Sequence, residues 1–333
     1  MKISSLGEFR LIEEIKKKLS SFNPNFANVV IASGDDAFAG FLPKGKILVA
    51  TTDALVQGVH FRLSWMSPQT LGKKAVAVNV SDLAAMGGAK PLFCLVTMGL
   101  PKNTTVSFVK QLYSGLNSEA KKYGAVIVGG DTVRSNGGIF LSLTLLGSIK
   151  KAQIIKRSGA KVGDVVCSTG TFGDAAAGLK ILESAKIKLT RSEKYLVNKQ
   201  LLPQVSLENA NLLSKFSYAT SMLDSSDGLA ISINLIAQES SVGISVALQA
   251  VPVSNEFNKW ASEFSENEKY EKVINGGEEY CLVFTTNPKN LKKIQRLIPS
   301  VKAFGIVTST KGVNYTLNGK KFALRAKGFS HFG

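Results

Sequence analysis

Two hydrophobic periods alternate along this 333-residue chain. From residue 8 to 22, Leu11, Ile12, Ile15, Leu19 and Phe22 recur three or four positions apart, which gathers them on one helix face. Ser67-Pro68 is a helix start, Ser as N-cap and Pro in the first turn, and opens an Ala- and Val-rich segment over 69–86 that stops at Gly87-Gly88. That segment is apolar nearly all round, so it should be buried. Further helices are predicted over 106–123, from 174, over 192–200, 206–215, 229–239 and 291–297. Short apolar runs predict strands at 29–31, 47–50, 92–98, 125–128, 139–146, 164–168, 218–223, 242–248, 281–285, 302–308, 313–317 and 321–325. Strands and helices alternate in both halves, which predicts an α/β (α+β) protein of two domains. A basic, Gly-containing stretch near 150–163 breaks the periodicity and sets the boundary, giving domains 1–150 and 151–333.

The chemistry gathers at carboxylates. Apolar runs lead into Asp35 and Asp36, into Asp53, into Asp131, and into Asp224 and Asp227. Rigid strands deliver side chains to loop mouths, and clustered carboxylates repel unless cations neutralise them. Mg²⁺ prefers oxygen ligands and bridges carboxylates to phosphates. Any single Asp-Gly pair is more often plain turn chemistry. Asp82 is different, because it sits inside the predicted buried helix and a buried carboxylate needs a partner. Gly-rich elements at 129–131, 169–174 and 276–278 allow close backbone approach to a ligand. Neither a Walker A sequence nor G-x-G-x-x-G on a strand-to-helix turn is present. Arg157 is a candidate phosphate clamp, with an ordinary surface Arg as the equal alternative. His60 on position alone reads as packed or hydrogen-bonded.

Composition narrows the partners. With 44% hydrophobic residues the chain can bury a sizeable core, so disorder is excluded as its main state. No apolar run reaches the roughly 18 residues of a membrane span, and the first residues lack a signal peptide's apolar stretch. This reads as a cytoplasmic protein without a membrane partner. Cys94, Cys167 and Cys281 show no zinc or redox spacing and read as buried thiols. The net charge of +17 suggests nucleic acid at first sight. It is spread evenly, however, +8 over 1–150 and +9 over 151–333, with 8% aromatics, so no nucleic-acid partner is expected. Seven of the nine Asp lie in the motifs above, so the scarce charge marks the site.

The motifs in series resemble the thiamine-monophosphate kinase family, within the superfamily that includes aminoimidazole ribonucleotide synthetase. They run nearly end to end: GEF at 7–9, GDDA at 34–37, TTDALVQGVHF at 51–61, AVNVSDLAAMGG at 77–88, GGDT at 129–132 and RSGAKVGD at 157–164. TGTFGDAAAGL at 169–179, LDSSDGL at 223–229, NGGEEY at 275–280 and GFSHF at 328–332 complete them. The resemblance implies a two-domain synthetase-like fold that forms a homodimer, with strands of the N-terminal domains joining in a barrel. It implies ATP and several Mg²⁺ ions in a cleft between the domains, and in-line transfer of the γ-phosphate to thiamine monophosphate, giving thiamine diphosphate. Carried over by motif, Asp36, Thr51, Thr52, Asp53, Asp82, Asp131, Asp224 and Asp227 would serve the metal. Tyr123, Gly130, Asp131, Arg157 and Ser226 would hold the nucleotide, with Asp224, Ser226 and Asp227 closest to the chemistry. His60, Glu278 and Phe329 would meet the thiamine side, an aromatic such as Phe329 stacking on the cationic ring. Three positions depart from the usual pattern: Gln57 for Glu, Glu279 for Asp, and Cys281 for a polar residue. A sibling enzyme of the superfamily is the alternative. No Cys precedes Cys94 and the chain ends Ser330-His331-Phe332-Gly333, which speaks against the selenophosphate synthetase and hydrogenase-maturation branches.

Overall fold

A computed structural model describes residues 2, 5, 8–20, 29–31 and 39–323. The chain divides into two compact units, residues 1–83 with 89–151, and residues 84–88 with 152–333. Helices and strands alternate through both, in a mixed α/β architecture.

The first unit holds α1 (Glu8–Ser20), a small pair β1 (Val29–Ile31) and β2 (Ala39–Gly40), and β3 (Ile47–Val56). Then come α2 (Pro68–Ala85), β4 (Lys90–Leu100), α3 (Val106–Lys122), β5 (Val126–Arg134) and β6 (Phe140–Ile149). The four long strands form a sheet in the order β3-β6-β4-β5, with β4 and β5 parallel and the other pairs antiparallel. One face packs into the core through Leu141, Leu143, Leu145, Cys94, Val96 and Met98, all buried. Leu83 of α2 lies against Gly147 of this sheet. As the composition predicts, α2 is buried almost all round, from Leu71 to Ala84, with Lys73 and Asp82 the breaks in that cover. The other face is closed at one end by Phe93, Val126, Leu95 and Leu146 and open at the other. There Val56 is 39% exposed and Val133 40%.

Two strands run further than their apolar runs indicate. β3 continues to Val56 and β5 to Arg134, so Asp53 and Asp131 stand within strands rather than at their ends. The physical reason is the half-covered sheet: in β3 burial alternates, with Val49, Thr51, Asp53 and Leu55 turned inward and Leu48, Ala50, Thr52, Ala54 and Val56 outward. Polar residues on an open face do not end a strand.

The second unit is a seven-stranded sheet with helices on both faces. Its elements are β7 (Val165–Ser168), α4 (Asp174–Glu183), α5 (Arg191–Leu201), α6 (Leu207–Lys215), β8 (Ser221–Asp224), α7 (Leu229–Ser240) and β9 (Gly243–Ala247). They continue with α8 (Asn255–Trp260), α9 (Glu266–Asn275), β10 (Leu282–Thr286), α10 (Pro288–Leu297), β11 (Lys302–Thr308), β12 (Gly312–Leu317) and β13 (Lys320–Lys321). Strand order is β13-β12-β9-β11-β7-β10-β8, antiparallel except for β12 against β9. Val166, Leu223 and Val283 face one core with Ala177, Ile233 and Phe257. Their neighbours Cys167, Met222 and Phe284 face the other with Leu213 and Ile294. This period-2 division explains the unbroken apolar runs of β7, β8 and β10, which are covered on both sides. Helices α8 and α9 fall where periodicity indicates nothing. Their start signals are polar: Ser254 caps Phe257 N–H, and Ser265 with Glu268 forms a reciprocal capping box.

Candidate active site

In the first unit, the sheet and α2 bring three of the expected residues to one place. Thr51 and Asp53 share the inward face of β3, two residues apart. The Thr51 hydroxyl donates a short hydrogen bond to the Asp82 carboxylate, through one of the two breaks in the buried surface of α2. Thr52 points to the opposite face, where its hydroxyl donates to the Leu143 carbonyl (3.0 Å) and accepts from Thr144 (3.3 Å).

Asp131 is placed elsewhere. Register aligns Asp53 with Leu143, Val96 and Gly130, and Ala54 with Ser142, Thr97 and Asp131. Asp53 and Asp131 therefore occupy adjacent rows on the two edge strands. Three inter-strand spacings of about 4.8 Å separate them, roughly 14 Å along the sheet. Within one chain they cannot ligate one cation. Among the described residues no three His, Cys, Asp or Glu side chains converge on a metal position. Asp131 is exposed, and its carboxylate accepts from the Thr132 N–H (2.8 Å). Gly130 approaches β4 so closely that a Cβ would stand 1.9 Å from the Val96 carbonyl oxygen, so glycine is required there. Tyr123 caps the C-terminus of α3 just before β5, with the Lys122 ammonium 4.7 Å from its ring centre.

The donor set suits Mg²⁺. It is all oxygen, and Mg²⁺ takes one or two carboxylates while keeping waters or phosphate oxygens, so a three-acid cage is not needed. The paired Thr51–Asp82 and neighbouring Asp53 meet that requirement. Asp36 lies outside the described residues, as does Phe329.

His60 follows β3 in a tight turn. Its Nδ1 accepts the Val56 N–H (3.0 Å), so the neutral ring carries its proton on Nε2, which is then a donor. Gln57 pins this turn to the start of β6: its N–H donates to the Ile139 carbonyl, and its side-chain oxygen accepts the Ile139 N–H, both 2.9 Å. This departure from the family pattern is thus a backbone clamp, a task an amide performs without bringing charge.

In the second unit, β8 delivers Asp224, buried at 6% exposure, followed by Ser226, half-buried, and Asp227, exposed. Arg157 is exposed on the segment beside β8, where the Met222 N–H donates to the Lys156 carbonyl (2.9 Å). The 276–281 loop is zipped to the 224–227 loop. Glu278 N–H donates to Ser226 O (2.6 Å), Tyr280 N–H to Ser225 O (3.0 Å), and Ser225 N–H to Cys281 O (2.9 Å). Gly277 permits the approach, since a Cβ there would meet Ser226 O at 2.7 Å. Gln200 of α5 donates to the Glu278 carboxylate. Cys281 is buried, and burial pushes its thiol well above the ordinary range.

Sequence reasoning missed an acidic pair beside this loop. Asp174 is fully buried, accepting from Ser254 (2.5 Å) and Thr171 (2.7 Å). Glu279 keeps some exposed surface, but its carboxylate is enclosed. Burial raises both acids, and Asp174 raises Glu279 further, while Lys199 and backbone N–H groups oppose. An acid raised on folding stabilises least when ionised, so stability falls as pH climbs from the ordinary Glu value of 4.5 through the folded one. Glu279→Gln removes the enclosed charge and keeps an acceptor. In thermal melts it should exceed wild type at pH 7.5, with the gap closing towards pH 4.5. A gap that widens on acidification would contradict this assignment.

A family profile described as "AIR synthase related protein, N-terminal domain" matches residues 34–149. Among curated proteins, the thiamine-monophosphate kinase of Aquifex aeolicus is 35% identical over 332 residues, covering 100% of both chains. That of Buchnera aphidicola from Acyrthosiphon pisum is 34% identical over 331 residues, covering 98% of each. Among solved structures, a thiamine-monophosphate kinase from Stenotrophomonas maltophilia superposes with a TM-score of 0.81 at 28% identity, over 94% of this chain and 97% of that one. AaThiL complexed with AMPPCP and TMP superposes with a TM-score of 0.78 at 33% identity, over 100% and 99%. Hydrogenase maturation protein HypE in complex with ATP shares the fold at 18% identity with a TM-score of 0.76. The N-terminal match, the synthetase-like fold and full-length identity above 30% agree, and the chain belongs to the thiamine-monophosphate kinase family.

Proposed function

We propose that this chain transfers the γ-phosphate of ATP to thiamine monophosphate, yielding thiamine diphosphate and ADP. The observation that carries the reading is full-length kinship with a kinase solved together with AMPPCP and TMP. The residues fit the chemistry. The acceptor is already an anionic phosphate, so no strong base is needed, and catalysis is positioning and charge neutralisation. His60 has its Nδ1 committed to the backbone N–H of Val56.

Thr51, Asp53 and Asp82 would hold Mg²⁺ in the first unit, with Asp36, Thr52 and Asp131 completing the set, and Asp224 and Asp227 in the second. When bound, the metal screens the repulsion between two phosphate groups. Gly130, Tyr123, Arg157 and Ser226 would contact the nucleotide, Arg157 as a charged clamp on phosphate oxygens. His60 Nε2–H, Glu278 and Phe329 would orient the acceptor. Asp224 and Asp227 frame Ser226, closest to the transfer.

The working form is a homodimer. β3 and β5 leave both edges of the first unit's sheet unpaired among the described residues, and the face bearing Leu48, Val56 and Val133 is open. A second copy joining these strands in a barrel covers that face. It also supplies Asp131 to the β3 edge, which Asp131 of the same chain cannot reach.

An acceptor panel tests the assignment. With MgATP present, ADP should form with thiamine monophosphate and stay at background with thiamine, aminoimidazole ribonucleotide and inorganic phosphate. Preference for another acceptor would transfer the chain to a sibling activity.

A further inference from the structure

We propose that Glu279 is a positioning residue that fixes the acceptor contact Glu278 by closing the N-terminus of α4. The proposal rests on the reading above, in which Glu278 meets the thiamine acceptor. Helix α4 begins at Gly173, in a left-handed conformation (φ 90°) and without a side-chain cap of its own. One of its first-turn N–H groups donates instead to a loop more than 100 residues away. Glu279 Oε1 accepts the Ala175 N–H at 3.0 Å. A carboxylate at this end of a helix also meets the positive pole of the helix dipole.

The loop that provides it is strained on both sides of Glu279. Glu278 has φ 65° and Tyr280 φ 52°, left-handed values that residues with a Cβ adopt at a cost. Such a conformation persists only where its surroundings over-determine it. Backbone bonds to Ser225 and Ser226 hold the loop from one side, and Gln200 holds the Glu278 carboxylate. The Glu279 side chain anchors the same residues to α4, and so to the Gly-rich 169–173 loop. Glu279 and Glu278 project to different partners, α4 and α5, and the fixed bond to α4 sets the direction of Glu278. What the anchor needs is an acceptor oxygen. Charge is a burden there, beside the buried Asp174. Gln can therefore replace Glu279, and Ala cannot.

The test is steady-state kinetics on the full chain with thiamine monophosphate and ATP varied separately, for wild type, Glu279→Gln and Glu279→Ala. Glu279→Ala should raise KM for thiamine monophosphate about tenfold, the scale of a misplaced binding group, with KM for ATP changed less than about twofold. Glu279→Gln should restore wild-type values. If Glu279→Ala fails to fold, Glu279→Leu, which keeps the bulk but offers no acceptor, is read by the same split. Equal changes in both KM values, or a Gln variant as impaired as Ala, would overturn the proposal. Hydrogen exchange separates this from the kinase assignment. Should wild type form no thiamine diphosphate, the kinase assignment falls, and exchange still decides the role of Glu279. Faster exchange at 173–176 and 276–281 in the Ala variant but not the Gln variant supports it, and unchanged exchange refutes it.

Discussion

Asp82→Asn is expected to lower kcat/KM for MgATP by roughly 10²–10³-fold, the range seen when one preorganised electrostatic contact is lost. The Mg²⁺ concentration for half-maximal rate should rise with it, while the melting temperature stays near wild type. The reason for the split is local. Asn is isosteric and its amide oxygen still accepts from the Thr51 hydroxyl, so the packing of α2 on β3 survives. What disappears is a negative charge, placed where the otherwise buried surface of α2 is broken. Asp53→Asn should behave alike, since its side chain shares the inward face with Thr51. A variant with unchanged Mg²⁺ dependence would remove that residue from the metal set.

The second large effect concerns pairs of chains. Asp53→Asn and Asp131→Asn should each be nearly inactive alone. Mixed in equal amounts, unfolded and refolded together, they should recover about a quarter of wild-type activity. Half the dimers are then mixed, and each carries one site with both substitutions and one with neither. Distance decides this: the two carboxylates sit on opposite edge strands of one sheet, with β6 and β4 between them. They can serve one metal only if they come from different copies. Sites built within a single chain would give no recovery, because every chain in the mixture carries a lesion.

Much of the fold was legible because periodicity reports burial directly. The all-apolar α2 and the fully covered β7, β8 and β10 are examples. The ends of β3 and β5 were not legible. Their later residues alternate across a half-open sheet, so a strand looks like an apolar run followed by a polar loop. Helices α8 and α9 were missed because their capping residues, Ser254 and Ser265, carry the signal that short, polar helices lack in periodicity.

The site divides similarly. The motif residues were readable as chemistry, and the fold brings Thr51 to Asp82. The separation of Asp53 from Asp131 depends on sheet order, a long-range property that no local pattern encodes. Thr52 shows the same limit at short range, since neighbours in a strand face opposite ways. The Glu279 anchor spans 104 residues of sequence, and its only local trace was a departure from the family pattern.

The central claim is direct phosphoryl transfer to thiamine monophosphate. Phosphorus NMR of the purified protein with MgATP and thiamine monophosphate reads it most directly. The account predicts that the thiamine monophosphate singlet gives way to the coupled pair of doublets of thiamine diphosphate, with ADP appearing in equal amount and no inorganic phosphate. A folded sample that leaves the singlet intact, or converts ATP to ADP and free phosphate alone, would contradict it.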